Sequence, residues 1–564
     1  MNRLPIIEVK YMLKMLFEIF ATKSNDCAIM NVMGTYLNPD NDNFRLFTAT
    51  GMYVDKTGLI AELNKLLNNP AMDYVCVSRP RRFGKTLAGD MICAYYSKGA
   101  DSEPLFSPYK ISQAETFKTH LNKYNVIQID LNAMFSKWKS IPLAKRDDNT
   151  FIGYVSDFVC AEFREQFGDI DFNGYDSIAD YIQTVYKLKK ETFVIIIDEY
   201  DVLVREEVPK EEFDVYLAFL NSLFKNNSLR PAISLAYITG ILPIIRDKIQ
   251  SKLNTFNEYT IINPGRFAEY TGFTSDEVKT LCEEHGISFE ECKSWYDGYK
   301  LKKFEIYNPQ AVYKAVMNEE FRSYWSATST YNVVAEKIRM NFAGTKDDVI
   351  AMMGGGRVYV NVEKYRNYMD TFSDKDDVFT YLIHLGYLAY DENEEQCYIP
   401  NREVYNEWKN AISNNEDYAV TNKIIADSRE LLRATIEGDD KAVAAALDRS
   451  HFHVASNLSY NRESSLQSAV YLAYIYALNG YIISKEMPAG KGYADIVYIP
   501  FDKSKPAMIV ELKRNSSPDT ALNQIKEKRY FDSLENWHGD ILFVGINYDE
   551  NTKEHSCRIE RFVK

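Results

Sequence analysis

The sequence lacks the cysteine spacing expected of a zinc or dithiol protein. Its eight cysteines are scattered over 564 residues, and no two of them form a Cys-x-x-Cys pair. The spacing therefore indicates neither a zinc site nor a redox motif. Free thiols in a reducing cytoplasm are the simpler interpretation.

Long apolar runs are also absent. No run reaches the roughly 18 residues that cross a bilayer. An apolar stretch at 11–20 carries Lys14 and Glu18, whereas the core of a signal peptide is uncharged. We interpret it as an amphipathic helix and expect neither secretion nor a membrane anchor.

The chain has no excess of positive charge, since its net charge is −14. This value excludes a uniformly basic surface for nucleic acid, so any such contact must use a local basic patch.

Short apolar runs alternate with helical patterns in the first half of the chain. Strands are predicted at 73–79, 126–131, 193–197 and 233–238, and helices at 84–97, 151–167 and 211–224. Such alternation predicts a parallel sheet covered on both faces, and hence an α/β fold.

The second half of the chain has a different pattern. From 266 to 457, charged and aromatic residues at helical spacing predict a mostly helical middle region. A separate C-terminal α/β unit follows. Its predicted helices are 463–478 and 520–534, and its predicted strands are 481–485, 493–499, 507–512 and 540–544. We therefore divide the chain into an extension (1–32), an α/β domain (33–265), the middle region (266–457) and a C-terminal domain (458–564).

A candidate phosphate-binding loop lies between the first strand and its helix. Backbone N–H groups and the helix N-terminus would cradle the phosphates of ATP. Lys85 would reach the β- and γ-phosphates, and the Thr86 hydroxyl would bind Mg²⁺. The predicted nucleotide-binding residues of the loop are Arg79, Pro80, Arg81, Arg82, Phe83, Gly84, Lys85 and Thr86.

The loop departs from the general Gly-x-x-x-x-Gly-Lys-[Ser/Thr] pattern because Arg79 stands at the first glycine position. Taken alone, Gly-Lys-Thr also fits an ordinary helix N-terminus, and the run of basic residues fits a solvated loop. The acids after the strand at 193–197 favour the ATPase interpretation. Asp198 would help to hold Mg²⁺, and Glu199 would orient or deprotonate the attacking water.

Further residues of the ATPase site are less well defined by the sequence. Thr239, at the end of a neighbouring strand, would sense the γ-phosphate, with a simple turn residue as the equal alternative. Arg246 and Arg266 are both candidates for an arginine that stabilises charge, and nothing selects between them.

A second constellation lies near the C-terminus. Glu511 and Lys513 share one face of a predicted strand, because side chains alternate along a strand. If the strand of Asp495 pairs beside it, two carboxylates and an ammonium converge. The carboxylates could hold Mg²⁺ that activates water, and Lys513 could neutralise developing charge. By spacing alone, an exposed charge pair on an edge strand is the alternative. Arg514 and Lys526 belong to a local basic excess over 511–530 that could contact phosphates.

These motifs together resemble bacterial AAA-ATPase-like proteins that carry a C-terminal PD-(D/E)XK nuclease-type domain. The resemblance covers nearly the whole chain, and the loop at 79–86 looks like this family's own P-loop variant. Other matching stretches are 33–39, 53–60, 198–201, 270–274, 295–299 and 307–309. Because the resemblance begins near Met33, translation starting there is an alternative to Met1.

The resemblance implies a P-loop NTPase domain and a restriction-endonuclease-like C-terminal domain. It also implies Glu463 as a further metal ligand, and Gln524 and Tyr530 as a motif that contacts nucleic acid. The chain departs from the family pattern before Asp495, where Lys491 and Tyr493 stand, and at Gln467, where histidine is common.

We therefore predict a cytoplasmic, Mg²⁺-dependent ATPase coupled to a nuclease-like domain that acts on nucleic acid, with DNA expected. No membrane contact is expected, and a homo-oligomer is compatible with the sequence. The alternative is a nucleotide-dependent switch whose C-terminal domain binds nucleic acid or a protein without cleaving.

Overall fold

The computed structural model describes residues 33–142, 150–244, 255–325, 331–365, 372–413, 415–454, 463–489, 492–534 and 537–562. No helix in these ranges has the length and apolar character needed to span a membrane. Seven of the eight cysteines lie in these ranges, and all seven are free thiols.

The first domain is built on a parallel five-stranded sheet, as the alternating pattern predicts. Its order is β2-β3-β4-β1-β5, and every neighbouring pair is parallel. The strands are β1 (Tyr74–Ser78), β2 (Asn125–Asp130), β3 (Phe193–Asp198), β4 (Ile233–Gly240) and β5 (Asn257–Tyr259). The residues of β1, β3 and β4 are fully buried because helices cover both faces.

Ten helices of the described residues belong to this domain. They are α1 (Asp42–Thr48), α2 (Gly58–Asn64), α3 (Lys85–Tyr96), α4 (Glu103–Phe106), α5 (Phe117–His120), α6 (Leu131–Ser140), α7 (Phe151–Gln166), α8 (Ile178–Lys189), α9 (Val202–Arg205) and α10 (Lys210–Phe224). Two apolar cores, one on each face of the sheet, hold them in place.

The middle region is mostly helical, as predicted, but it also contains two small three-stranded sheets. Their orders are β6-β8-β7 and β10-β11-β9. The helices are α11 (Ser275–His285), α12 (Phe289–Tyr296), α13 (Pro309–Asn318), α14 (Tyr331–Ile338), α15 (Thr345–Met353), α16 (Lys375–Leu385), α17 (Arg402–Ser413), α18 (Ala419–Glu437) and α19 (Asp440–Val454). The strands are β6 (Phe273–Thr274), β7 (Tyr299–Leu301), β8 (Phe304–Tyr307), β9 (Val358–Tyr359), β10 (Ala389–Asp391) and β11 (Gln396–Tyr398).

The C-terminal domain is a five-stranded mixed sheet of order β12-β13-β14-β15-β16. β14 and β15 are parallel, and the other pairs are antiparallel. The elements are α20 (Glu463–Ala473), β12 (Tyr481–Ala489), β13 (Gly492–Pro500), β14 (Ala507–Arg514), α21 (Pro518–Glu527), β15 (Ile541–Asp549) and β16 (Glu554–Phe562).

Two predicted C-terminal helices are shorter than the sequence indicates. The helix predicted at 463–478 ends at Ala473, and a 3-10 turn follows over Ile475–Asn479. The buried Tyr474 hydroxyl lies 2.7 Å from Thr435 Oγ1, which fixes the chain at this break. The helix predicted at 520–534 ends near Glu527, because Arg529 adopts a positive φ of 54°. The chain then continues as a 3-10 turn.

The middle region and the C-terminal domain share one apolar core. Trp408 of α17, Leu431 of α18, Val470 of α20 and Val510 of β14 belong to a single cluster of buried residues. The same cluster includes Phe83 of the P-loop. The packing is therefore continuous from the candidate nucleotide site to the C-terminal sheet.

Candidate functional site

The P-loop connects the C-terminal end of β1 to the N-terminus of α3. Gly84 precedes α3 and has a φ of 81°, a conformation in which glycine is favoured. A Cβ atom built on Gly84 would meet nothing within 4 Å, so the loop backbone is open at this point. The helix N-terminus and its amide groups therefore face accessible space, as phosphate binding requires.

Lys85 is the first residue of α3, and its side chain is 4% exposed. Its Nζ donates to the carbonyl oxygens of Arg79, at 3.2 Å, and of Pro80, at 3.0 Å. It also lies 3.8 Å from Glu199 Oε1. Burial lowers the pKa of this ammonium, whereas the Glu199 carboxylate raises it. An anionic ligand in the loop would compensate this desolvation.

Thr86 and Asp198 meet across the end of the sheet. The Thr86 hydroxyl donates to Asp198 Oδ2 at 2.6 Å, although β4 lies between the two strands that carry these segments. Asp198 is 4% exposed. Burial is the main cause that raises its pKa to about 7, and the Thr86 hydrogen bond opposes this shift. The hydroxyl and the carboxylate are therefore close enough together to share one Mg²⁺ ion, and their role as its ligands stays a prediction.

Glu199 directly follows β3 and has a φ of 53°, which is uncommon for a residue with a side chain. Its carboxylate forms ion pairs with Arg205 and Lys85. Thr239, at the end of β4, is 0% exposed, and its hydroxyl makes no hydrogen bond within the described part of the chain. The γ-phosphate role of Thr239 stays a prediction.

The P-loop arginines point in three directions. Arg79 is 0% exposed, and its Nη1 donates to the carbonyl oxygens of Ser78 and Tyr259, each at 2.8 Å. Arg82 Nη1 donates to the carbonyl oxygen of Tyr324 at 2.7 Å. Arg81 is exposed and lines the cavity described next. The guanidinium groups of Arg79 and Arg82 thus hold the loop in place. Because Arg79 is fully buried, any contact of this residue with nucleotide would come from its backbone.

A cavity of about 390 Å³ adjoins the P-loop. Its lining includes the residues from Arg81 to Ala88, which span the loop and the start of α3, and Glu199. It also includes a largely aromatic and apolar set, namely Phe47, Tyr53, Met91, Tyr270, Phe273 and Tyr313. The lining thus combines cationic and apolar groups, as a nucleotide with its phosphates and base requires.

The structure does not show whether Arg246 or Arg266 is the arginine that stabilises phosphate charge. Arg266 is 38% exposed, and its Nη1 lies 3.7 Å from Glu62 Oε2. Arg246 lies outside the described residues.

The second constellation converges as predicted, because β13 pairs with β14. Asp495 Oδ2 accepts a hydrogen bond from Leu512 N at 2.6 Å, and Lys513 Nζ lies 2.8 Å from Glu511 Oε1. Glu511 is 2% exposed. Burial and the neighbouring Asp495 charge raise its pKa to about 7, and Lys513 opposes this shift. Two carboxylates and one ammonium thus form a compact cluster.

Gln524 and Tyr530 contact the cluster directly. The Gln524 amide donates to Glu511 and, at 2.9 Å, to Tyr530 Oη. Tyr530 is only 2% exposed. These contacts fix the Glu511 carboxylate. Nucleic-acid contact by Gln524 and Tyr530 stays a prediction.

The basic residues near this cluster already have acidic partners. Arg514 pairs with Glu550, and Lys526 Nζ lies 2.6 Å from Glu560 Oε2. These ion pairs reduce the positive potential that the local basic excess offers to phosphates.

The side chain of Glu463 lies outside the described residues. Within the described ranges, no three His, Cys, Asp or Glu side chains converge as in an all-protein metal site. Mg²⁺ at either constellation would therefore take its remaining ligands from phosphate or water, as this ion commonly does.

Sequence reasoning gave no role to Arg205, which contacts the predicted base Glu199, or to Asp201, which contacts Arg205. Arg205 pairs with Glu199, and its Nε lies 3.2 Å from Asp201 Oδ2. The motif at 198–201 contains Asp201, but only the fold shows which groups it meets. The aromatic cavity wall was also missed, since its residues come from distant segments.

Family models match two parts of this chain. Residues 41–250 match the model described as predicted AAA-ATPase, and residues 461–556 match the PD-(D/E)XK nuclease superfamily. The two matches agree with the two folds, the parallel sheet of the first part and the mixed sheet of the last. The predicted domain boundaries stay a prediction.

One curated relative is the uncharacterized protein in the vnfD 5′ region of Azotobacter chroococcum, 24% identical over 320 residues. The match covers 53% of this chain and 55% of that relative's length.

Solved structures share only distant similarity with the chain. The ORC2 protein of Aeropyrum pernix, in ADPNP and ADP complexes, has a TM-score of 0.30 and 11% identity, and the match covers 64% of this chain and 96% of that one. Drosophila ORC bound to DNA has a TM-score of 0.22 and 10% identity, with coverages of 72% and 99%. The assignment therefore depends on the family models and on the fold: the chain combines an AAA-ATPase-like domain with a C-terminal domain of the PD-(D/E)XK nuclease superfamily.

Proposed function

We propose that the N-terminal domain binds and hydrolyses ATP with Mg²⁺. The observation that supports this most is the 2.6 Å contact between Thr86 Oγ1 and Asp198 Oδ2 beside the buried Lys85. The adjoining cavity, with its cationic loop and aromatic wall, has the character that a nucleotide needs. The residues present therefore fit Mg²⁺-ATP.

Each side chain would contribute one part of the reaction. Lys85 would neutralise charge on the β- and γ-phosphates, and Thr86 and Asp198 would hold the metal ion. Glu199 would accept the proton of the attacking water as the P–O bond to the leaving ADP breaks. When bound, Mg²⁺ would supply further stabilisation of phosphate charge.

Nucleotide binding and phosphate release by two variants test this proposal. Lys85→Ala should weaken ATP binding, because it removes the ammonium that we propose binds the β- and γ-phosphates. Glu199→Gln should still bind ATP but hydrolyse it about 100-fold more slowly, the scale of losing a general base. Lys65→Ala, which changes a lysine that is 62% exposed, is the control. Full turnover in Glu199→Gln would remove the base assignment.

For the C-terminal domain we propose Mg²⁺-dependent cleavage of nucleic acid, with DNA the expected substrate. Asp495 and Glu511 would hold the metal ion, and Lys513 would position water or neutralise the phosphate.

The free thiols of the described cysteines support the proposal that the chain works in the reducing cytoplasm.

A cleavage assay with DNA and RNA of several forms tests this second activity. Asp495→Asn and Lys513→Ala should abolish cleavage, whereas Lys503→Ala, at an exposed position before β14, should not. If the wild-type chain binds nucleic acid without cutting it, the non-cleaving switch becomes the better interpretation. The acidic partners of Arg514 and Lys526 weaken phosphate contact under both interpretations, so this assay and not the surface charge distinguishes them.

A further inference from the structure

Arg205 lies one helical turn after Asp201, an acid that follows β3. It is the last residue of the short helix α9, and its side chain is 11% exposed. One guanidinium nitrogen, Nη2, pairs with Glu199 Oε2, and Nε lies 3.2 Å from Asp201 Oδ2. The planar fork of the guanidinium thus joins the proposed base to a second acid.

Asp201 is itself fixed by the backbone. Its Oδ2 accepts hydrogen bonds from Ile241 N at 3.1 Å and from Leu242 N at 2.9 Å, just beyond the end of β4. A Cβ atom on Gly240 would come within 2.6 Å of Asp201 Oδ1, so this carboxylate fills the available space. Because Asp201 cannot easily move, it provides a rigid anchor for Arg205.

Glu199 has a second cation within reach. Lys85 Nζ lies 3.8 Å from Glu199 Oε1, on the other side of the carboxylate from Arg205. Arg205 pairs with Oε2 and Lys85 faces Oε1, so the two cations meet different oxygens of the carboxylate. The Arg205 pair therefore restrains the orientation of Glu199 without involving the lysine that would bind the phosphates.

Arg205 stands apart from the nucleotide cavity. Among the described residues, Glu199 lines the cavity, and Arg205 is not one of its lining residues. We propose that Arg205, anchored by Asp201, is a positioning residue that holds Glu199 for deprotonation of water. This inference depends on the proposed ATPase function.

Steady-state hydrolysis and the affinity for a non-hydrolysable ATP analogue test the proposal in the full chain. Arg205→Ala should lower kcat by up to about 100-fold, the scale of a misplaced catalytic group. The analogue affinity should stay unchanged, which also shows that the variant is folded. Arg205→Lys should recover part of kcat, because it restores the charge but not the fork.

Arg230→Ala is the matched control. Arg230 Nη2 lies 2.5 Å from Asp73 Oδ1, so it forms a similar partly buried arginine–aspartate pair, but at the opposite end of β1 from the P-loop. Its removal should affect stability and leave kcat unchanged.

A double variant distinguishes an effect of Arg205 on the position of Glu199 from a general effect on the structure of the site. In the Glu199→Gln background, Arg205→Ala should cause no further fall in the single-turnover rate, because the group it positions has already been disabled. A multiplicative loss in the double variant, an unchanged kcat in Arg205→Ala, or a parallel loss of analogue affinity would each overturn the positioning role. A wild-type chain without Lys85-dependent hydrolysis would instead reject the ATPase proposal and this inference with it.

Discussion

At the scale of single residues, Arg79 explains how the P-loop forms without its usual first glycine. The guanidinium is 0% exposed, and its hydrogen bonds to the described residues all go to carbonyl oxygens, including that of Phe267 at 3.4 Å. Burial lowers its pKa to about 10, still well above neutral pH, so the group stays charged. Arg79 thereby ties the start of the loop to β5 and to the turn at Gly265–Phe267.

We expect Arg79→Gly, which restores the general P-loop pattern, to damage the protein. The change removes a buried charged donor and leaves carbonyl oxygens unsatisfied, at a cost of about 3 kcal/mol or more. Chemical denaturation measures the loss in free energy of unfolding. Arg81→Gly alters the exposed neighbour and should cost less than about 1 kcal/mol, since only backbone entropy changes. Equal stability of Arg79→Gly and wild type would contradict this account of the loop.

At the scale of secondary-structure elements, the strands that carry the ATPase site could be predicted from the sequence. β1, β3 and β4 are continuous apolar runs because both faces of the sheet are buried, and each ends at its predicted polar residues. The convergence of Asp495 with Glu511 was likewise accessible from strand alternation, once the two strands were assumed to pair.

Other elements could not be predicted because tertiary contacts determine them. The helix break at Tyr474 depends on a partner, Thr435, that lies far away in sequence. β16 was missed because its charged residues alternate weakly with apolar ones. The side-chain directions of Arg79 and Arg82 depend on carbonyl oxygens from β5 and from Tyr324, which no local pattern reveals.

The end of α16 supports the P-loop from the middle region, and this contact gives a prediction. Gly386 ends the helix with a φ of 86°, and a Cβ atom there would lie 2.8 Å from Pro80 Cβ. We expect Gly386→Ala to displace the loop and weaken ATP binding at least several-fold, as measured by nucleotide titration. The left-handed backbone adds about 1 kcal/mol of instability.

Gly438→Ala is a closely matched control for this prediction. Gly438 also ends a helix, α18, with a φ of 78°, but a Cβ atom there would meet nothing within 4 Å. The two variants should therefore share the backbone cost, and only Gly386→Ala should also lose nucleotide affinity. Equal affinities would show that the contact with Pro80 does not shape the loop.

At the scale of the whole molecule, a buried acid links the P-loop to the middle region. Glu403 of α17 is 1% exposed and accepts hydrogen bonds from Tyr324 N at 2.6 Å and Trp325 N at 2.8 Å. The same two residues accept hydrogen bonds from Arg82 through their carbonyl oxygens. The pKa of Glu403 is raised from 4.5 to about 7. Burial is the main cause and the nearby Glu407 contributes, whereas the two backbone hydrogen bonds and Arg82 oppose the shift.

This raised pKa predicts a pH-dependent stability. Between about pH 4.5 and 7 the folded chain keeps the Glu403 proton that the unfolded chain releases, so this group's contribution to stability falls as pH rises through that window. Glu403→Gln should flatten the pH dependence of the free energy of unfolding there, while its amide oxygen still accepts both N–H groups. Glu416→Gln, at an exposed acid of the same region, should not. An unaltered pH profile in Glu403→Gln would rule out this contribution.

The shared core described above has a practical consequence for dissecting the chain. Ile559 N of β16 donates to Asp440 Oδ1 of α19 at 2.8 Å, and His555 N donates to Asp448 Oδ1 at 2.7 Å. These bonds join helix and strand across the predicted boundary at 457. A product truncated there would expose to water the apolar side chains that now pack against α20 and the last sheet, and exposed apolar surface of this kind promotes self-association. Inactivating point substitutions in the intact chain are therefore better suited than truncation for assigning ATP hydrolysis and nucleic-acid cleavage to their domains.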